Sequence, residues 1–133
     1  MFSASSLIAL RHELNIHSRP LVVALCAQWC GTCREFTATF YQLETQFPQA
    51  AFFWLDIEDD TSLCEEIDVH DFPVLAIYNE HGIPCYFGTS SPQKAVIARL
   101  LKETLGSSVS TSILSVAPEA KLLYQKLLTV PIN

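Results

Sequence analysis

The stretch Leu21–Phe36, "LVVALCAQWCGTCREF", places two cysteines directly after an apolar run. The run has the composition of a buried strand, and a helical apolar pattern begins at Thr32. Cys30 and Cys33 therefore lie at a junction where a strand ends and a helix begins. Unpaired N–H groups at a helix start favour a thiolate, the reactive form of cysteine. We expect Cys30 to be the exposed, attacking thiol and Cys33 the more buried one, able to attack a mixed disulfide formed at Cys30.

Outward from this junction the chain alternates between helical and strand patterns. The helix after the cysteines has an apolar residue every three or four positions and ends at Pro48. The predicted order is helix, strand, helix, strand, helix, strand, strand, helix, at residues 3–15, 21–26, 32–47, 50–57, 59–69, 72–78, 83–88 and 91–105. Strands joined through helices imply parallel pairing in a sheet covered on both faces, and the final hairpin adds an antiparallel edge. The fold class is α/β.

Composition narrows the class of protein further. The chain has 133 residues, one domain by length, with 17% charged residues and a net charge of −6, which argues against nucleic-acid binding. Its longest apolar run, Leu21–Ala27, is far shorter than the roughly 20 residues that span a bilayer, and we find no export signal near the N-terminus. We therefore expect a cytoplasmic protein without membrane contact. In a reducing cytosol, two close cysteines more often serve in redox chemistry or metal binding than in a structural disulfide.

Zinc binding is the alternative use of two cysteines at this spacing, because C-x-x-C is half of a zinc site. The other half needs two more ligands. Cys26, Cys64, Cys85 and the four histidines are scattered along the chain without a second pair, which disfavours zinc. We interpret these three cysteines as small buried core residues, although Cys26 could also be a third thiol near the site. No metal or other cofactor is expected.

The composition changes after residue 106. Residues 107–133 form a C-terminal extension, a Ser/Thr-rich segment followed by an amphipathic helix. The helix has one apolar stripe, formed by Ala120, Leu123, Tyr124, Leu127 and Leu128. The stripe has two interpretations. It either packs back on the domain or forms an interface with a partner, such as a homodimer, because a bare stripe of this size would be an exposed patch.

Three segments together resemble the thioredoxin family. "AQWCGTC" at 27–33 is similar to the family's redox motif, "VHDFPVLAIY" at 69–78 to its segment with a cis-proline, and "NEHGIPCYFG" at 79–88 to its terminal hairpin. Residues 1–106 are thus identified as a thioredoxin-like domain. The resemblance implies a thioredoxin fold with a central mixed sheet of four or five strands flanked by helices, here with the extra C-terminal helix.

The resemblance also implies a site and an activity. It makes the bond before Pro73 cis, places this proline opposite the cysteines, and lets the backbone of Phe72 pair with a substrate peptide like an added strand. The expected docking surface consists of Trp29, Gly31, Thr32, Phe72, Pro73 and Gly88. The implied function is a thiol-disulfide oxidoreductase acting on protein disulfides through a Cys30–Cys33 dithiol-disulfide couple. Its partners would be client proteins with disulfides or thiols and a reductase or other thiol donor.

A second class of function stays open, a thioredoxin-fold binding or chaperone module with little turnover. It would use the Phe72–Pro73 groove and the C-terminal helix to hold a partner. The presence of both Cys30 and Cys33 favours the enzyme, because a binding module needs neither sulfur.

The chain departs from the family at two linked positions. Ala24 stands where thioredoxins have a buried aspartate, and Trp54 where they have a nearby lysine. Losing both charges together need not harm the fold, since neither is left buried and unpaired. In the family the carboxylate is thought to help take the proton from the second cysteine. Without it, Cys33 must ionise in a drier setting, so we expect an atypical enzyme with slow release of mixed disulfides near neutral pH.

Overall fold

The elements around the cysteines follow the predicted order in the computed structural model, which describes residues 1–16, 18–27, 30–64, 67, 71–105 and 118–130. A short 3₁₀ turn at Ala4–Ser6 precedes the first helix. The strands are β1 (Phe2–Ser3), β2 (Leu21–Cys26), β3 (Ala51–Asp56), β4 (Val74–Tyr78) and β5 (Pro84–Thr89). The helices are α1 (Leu7–Ile16), α2 (Gly31–Gln46), α3 (Thr61–Cys64), α4 (Lys94–Leu105) and α5 (Pro118–Thr129).

The strands of the described residues form one mixed sheet in the order β1-β3-β2-β4-β5. β3 pairs in parallel with both β1 and β2, whereas β4 pairs antiparallel with β2 and β5. The prediction of a mixed sheet is confirmed, with five strands. The fifth is the edge strand β1, whose two residues are too short for a strand pattern to be visible in the sequence.

The direction of β4 corrects one expectation. A helix between β3 and β4 implied that the two strands run in parallel, but β4 runs antiparallel to β2, which itself is parallel to β3. The register fixes this direction, since Leu21 pairs with Tyr78 and Leu25 with Val74, whereas β3 runs alongside β2 from Ala51 to Asp56. β4 therefore starts at the end of the sheet where β3 stops.

Both faces of the sheet are covered. Side chains alternate along each strand, so β2 contributes Val23 and Leu25 to one layer and Val22 and Ala24 to the other. The first layer, here the α5-side core, lies against α1, α3 and α5. The second, the α2-side core, lies against α2 and α4. Burial on both faces explains why β2 is a continuous apolar run.

The C-terminal helix packs back on the domain. Ala120, Leu123 and Leu127 are buried in the α5-side core. The Tyr78 hydroxyl donates a hydrogen bond of 2.5 Å to the carbonyl oxygen of Ala120, and its ring centroid lies 4.8 Å from that of Tyr124. This confirms the first interpretation of the apolar stripe. A homodimer through this helix stays a prediction, and residues 107–117 of the extension lie outside the described residues.

Two further contacts fix the position of α5. Arg11 of α1 donates hydrogen bonds to the carbonyl oxygens of Leu127 at 2.7 Å and Val130 at 2.5 Å, which satisfies the last turn of the helix. Gly82, in the β4–β5 turn, has a φ of +77° and lies directly under Tyr124, where an added Cβ would come within 2.7 Å of the ring. Only glycine combines this backbone conformation with this close approach.

None of the helices within the described ranges is both long enough and apolar enough to cross a membrane.

Replacing Leu127 by alanine is expected to destabilise the domain by about 2–5 kcal/mol, because its side chain is fully buried between α5 and the sheet. Leu122 on the same helix is 40% exposed and provides a matched control. Leu122→Ala should change the free energy of unfolding by no more than about 0.5 kcal/mol. Urea unfolding measures both. Equal effects of the two substitutions would show that α5 does not pack on the domain in solution.

Candidate functional site

Cys30 is the residue at which α2 begins. It is the N-cap of the helix with φ −84° and ψ 123°, and its N–H donates a hydrogen bond of 3.0 Å to the carbonyl oxygen of Ala27. Its thiol is free and half-buried. Gly31 and Thr32, the first two helical residues, are exposed. The helix thus presents one accessible sulfur at its N-terminal end, as predicted.

Cys33 lies one turn further along and is buried, with 1% of its surface exposed. Its position follows from the helical periodicity, because it starts the stripe that continues through Phe36, Phe40 and Leu43. This stripe faces the sheet and fills the α2-side core. The predicted contrast between an outer Cys30 and an inner Cys33 agrees with this geometry.

The structure joins Cys33 in a disulfide to Cys26, with 5.7 Å between the two Cα atoms. The family resemblance implied a Cys30–Cys33 pair, and the position of Cys26 in a strand indicated a small core residue. Cys26 is fully buried, but it is also the sulfur bound to Cys33, and Cys30 is left as a free thiol. A signal was available in the sequence. Alternation along β2 places Cys26 on the same face as Ala24, beneath the helix that carries Cys33.

The segment with the cis-proline lies at the same end of the sheet. The Phe72–Pro73 peptide bond is cis, the arrangement that the resemblance implies. Pro73 is buried, Phe72 is half-buried, and Val74, the next residue, pairs with Leu25 near the end of β2. Because the strands are antiparallel, the turn before β4 lies beside the carboxyl end of β2, close to the start of α2.

The remaining predicted docking residues are Gly88, Gly31 and Trp29. Gly88 is half-buried and pairs with Leu75 in β4, so it belongs to the same end of the sheet as the Phe72–Pro73 turn. Gly31 is open to solvent, and a Cβ placed there would meet only Arg34 at an ordinary contact distance of 3.7 Å. Trp29 lies outside the described residues.

Ala24 and Trp54, where charges were expected from the family, are direct partners in the pairing of β2 with β3. Trp54 packs against Phe36 and Phe40, with ring centroids 6.1 Å and 5.7 Å apart. A small side chain and a large one thus occupy the adjacent positions, and the large one joins an aromatic cluster. Both positions of this strand pair are therefore uncharged and belong to the apolar α2-side core.

A pocket of about 600 Å³ opens beside Cys33. We call it the Cys33 pocket. Its walls combine uncharged residues near the start of the chain and of α2 with one arginine and three aspartates. The lining residues are Ser3, Ser5, Ala27, Cys33, Arg34, Thr37, Trp54, Asp56, Asp59 and Asp60. Carboxylates therefore do lie near Cys33, although none comes from the position expected in the family.

The aspartates of this pocket are held by the turn after β3. Asp56 stands opposite Cys26 in the strand pairing, and its Oδ1 accepts hydrogen bonds from the N–H groups of Glu58 at 2.8 Å and Asp59 at 3.3 Å. Asp60 Oδ2 accepts one from the N–H of Asp56 at 3.0 Å. Burial raises the pKa of Asp60, and the negative charges of Asp56 and Asp59 raise it further. Asp56 was one candidate for the missing base, and its meeting with Asp59 and Asp60 depends on how the turn folds back.

The other two cysteines are outside the α2-side core that holds Cys26 and Cys33, and Cys64 belongs to the α5-side core. The Cys64 thiol, in α3, is 3.3 Å from the carbonyl oxygen of Asp60. Cys85, in β5, lies 3.5 Å from the carbonyl oxygen of Ile83, and burial raises the pKa of its thiol. In the part of the chain that the structure describes, no three His, Cys, Asp or Glu residues are grouped as metal ligands.

Comparisons of the sequence with known proteins agree on one family. The family model described as Thioredoxin matches residues 7–103. An H-type thioredoxin of Fagopyrum esculentum is 37% identical over 60 residues, which is 45% of this chain and 52% of that protein. The aligned segment therefore spans about half the length of that curated relative.

Solved structures show the same fold. A thioredoxin of Fasciola hepatica superposes with a TM-score of 0.65 at 20% identity, covering 78% of this chain and 99% of that one. The germline-specific thioredoxin Deadhead of Drosophila melanogaster gives a TM-score of 0.66 at 16% identity, covering 79% and 100%.

The raised pKa of Asp60 predicts a specific dependence of stability on pH. Because the folded state binds this proton more tightly than the unfolded chain, whose aspartate titrates near 3.8, ionisation of Asp60 destabilises the fold. Wild type should therefore lose stability relative to Asp60→Asn as the pH rises from about 4 through the raised pKa. The amide keeps an oxygen that can accept from the N–H of Asp56.

Urea midpoints measured across that range test the prediction. Asp71→Asn removes one charge at an exposed position and serves as the control. A difference between wild type and Asp60→Asn that does not change with pH, or that changes in the opposite direction, would contradict it.

Proposed function

The chain belongs to the thioredoxin family, and from this membership we propose that it is a thiol-disulfide oxidoreductase acting on protein disulfides. The observation that carries the proposal is the pair of sulfurs at the start of α2. Cys30 is a free, half-exposed thiol at the N-terminus of the helix, and Cys33 is buried one turn further along. The first can reach a client, and the second can reach the first without exposure to solvent.

The reaction proceeds by two exchanges in the reduced protein. The thiolate of Cys30 attacks one sulfur of a client disulfide, and the other client sulfur leaves as a thiolate. The thiolate of Cys33 then attacks the sulfur of Cys30, which breaks the mixed disulfide and releases the second client thiolate. The client gains two electrons and two protons overall, and the protein gains one disulfide. A reductase or another thiol donor must return it to the dithiol form.

Client binding is proposed at the surface between α2 and the Phe72–Pro73 turn. The antiparallel pairing of β4 with β2 supports this, because it brings the turn to the end of the sheet where Cys30 lies. The exposed Gly31 and Thr32 leave the approach to Cys30 open on the helix side. The backbone of Phe72 is the proposed partner for an extended client segment. Trp29 and Gly88 complete the proposed surface.

The alternative of a binding or chaperone module is weaker on this structure. It required the apolar stripe of α5 as a holding surface, but Ala120, Leu123 and Leu127 are covered by the domain itself. The enzyme uses both cysteines of the motif and needs no such stripe.

We propose a cytoplasmic location, with client proteins and a thiol donor as partners. The acidic net charge of −6 supports the absence of nucleic acid among these partners.

Substituting Cys30 by serine should abolish reduction of a protein disulfide such as that of insulin in the presence of dithiothreitol, because the attacking thiol at the start of α2 is lost. Cys33→Ser should instead accumulate a mixed disulfide between Cys30 and the client, visible by mass spectrometry. Cys85→Ser, at another half-buried cysteine in β5, is the matched control and should keep wild-type activity. Full activity of Cys30→Ser would refute the proposed function.

Release of the mixed disulfide should be slow at neutral pH and accelerate as the pH rises. Ala24 and Trp54 provide no charge beside Cys33, and burial disfavours its thiolate. Stopped-flow single-turnover measurements can compare the release step with that of a thioredoxin that has the buried aspartate. The rate deficit should shrink with rising pH. An equal rate at neutral pH would show that other groups, such as those of the Cys33 pocket, take the proton.

A further inference from the structure

Cys33 is shared between two possible partners, and the structure shows it bound to the one outside the C-x-x-C motif. We infer that Cys26 is a third redox-active cysteine, and that Cys33 exchanges its disulfide between Cys30 and Cys26. The inference rests on the proposed function, because the Cys30–Cys33 bond that starts the exchange forms when a client is reduced.

The geometry allows both bonds from the same residue. The Cα atoms of Cys26 and Cys33 are 5.7 Å apart, within the usual range for a disulfide. Cys30 and Cys33 are three positions apart at the start of α2, the spacing of neighbours on one helix face. Cys33 therefore lies between a sulfur at the surface end of the helix and a sulfur at the end of β2 beneath it.

The exchange step needs no external oxidant or reductant. The thiolate of Cys26 attacks the sulfur of Cys33, the Cys30–Cys33 bond breaks, and Cys30 leaves as a thiolate. The proton lost by Cys26 is regained at Cys30 through solvent. One disulfide and one thiol are present before and after. The reverse step, attack of Cys30 on Cys33, regenerates the Cys30–Cys33 bond.

The Cys30–Cys33 and Cys26–Cys33 disulfides differ in how accessible they are to external thiols. Cys26 is fully buried and Cys33 is 1% exposed, so a bond between them presents almost no surface to an external thiol, although the Cys33 pocket opens beside it. Cys30 is the half-exposed member of the three. The exchange thus moves the disulfide from a site that partners can reach to one that they cannot, and returns a free thiol to the surface. Reduction of the inner disulfide must pass back through Cys30.

A permanent structural Cys26–Cys33 bond is the competing explanation, and it makes a different prediction. It would leave Cys30 as an isolated thiol without a resolving partner. It would also make reduction of the inner bond independent of Cys30, since the external thiol would gain access only when the protein opens.

The first measurement locates the disulfide in the oxidised wild-type protein. Free thiols are blocked with N-ethylmaleimide in mildly acidic urea, where buried thiols are reached and thiol–disulfide exchange is slow, the protein is reduced, and the released thiols are alkylated with iodoacetamide. Fragmentation of the peptide that contains all three cysteines then shows which one carries the maleimide. We expect it on Cys30. Maleimide on Cys26 would overturn the inference but leave the proposed function intact, since the active pair would then be Cys30–Cys33.

The second measurement follows reduction of the oxidised protein by glutathione in three variants. Cys30→Ala should slow reduction of the Cys26–Cys33 bond about tenfold or more, because the accessible entry point is lost. Cys26→Ala should form the Cys30–Cys33 bond on oxidation and be reduced about tenfold faster than wild type. Cys64→Ala, at another buried cysteine, should behave as wild type.

The other possible outcomes show whether the inference alone fails or the proposed function fails as well. If Cys30→Ala is reduced as fast as wild type, the inner disulfide is static and the inference fails. If neither wild type nor Cys26→Ala forms a reversible disulfide at these three cysteines, the proposed function fails with it. Circular dichroism checks that Cys26→Ala is folded, and Cys26→Ser replaces it if it is not. The labelling of wild type and the rate of Cys30→Ala do not depend on that variant.

Discussion

Pairing of β2 with a parallel strand on one side and an antiparallel strand on the other is the constraint on which the site depends. The parallel neighbour β3 ends beside Cys26, and the antiparallel neighbour β4 begins beside Leu25. Three chain segments therefore meet at one end of the sheet: the start of α2, the turn after β3 and the Phe72–Pro73 turn. A reversal of either pairing would send one of them to the opposite end. The meeting of an accessible sulfur, a buried sulfur and the Phe72–Pro73 turn is thus a consequence of strand direction.

The sequence predicted those features that depend on local periodicity. The bounds of β2 are those predicted from its apolar run, and α2 begins one residue before the expected start, because a fully buried strand and a long amphipathic helix leave strong patterns. The direction of β4 was missed, since it depends on how the chain crosses from β3 to β4 rather than on a pattern within either strand. The bond between Cys26 and Cys33 was not predicted, for another reason. Strand alternation places Cys26 beneath α2, but spacing along the chain does not show which side chain of the helix it meets across the α2-side core.

The charges near Cys33 come from a turn and not from the sheet. The paired strand positions Ala24 and Trp54 carry no charge, and Trp54 packs against aromatic residues of α2. The carboxylates beside Cys33 come instead from the turn after β3, where hydrogen bonds from backbone N–H groups hold Asp56 and Asp60. A buried strand position gives a carboxylate little access to water, whereas a turn leaves it at the edge of a pocket. The sulfur of Cys33 therefore has apolar residues on the side of the sheet and carboxylates at the opening of the Cys33 pocket.

Packing of α5 on the sheet also determines when the domain can be completed during synthesis. The residues that cover the α5-side core come from helices on either side of strands β2 to β5 in the sequence, α1 before them and α5 after them. When the chain has emerged from the ribosome only through α4, the five strands are available, but the face that receives Leu123 and Leu127 is still bare. The nascent domain therefore exposes apolar surface until α5 emerges, which is the interval in which such surfaces aggregate or recruit chaperones.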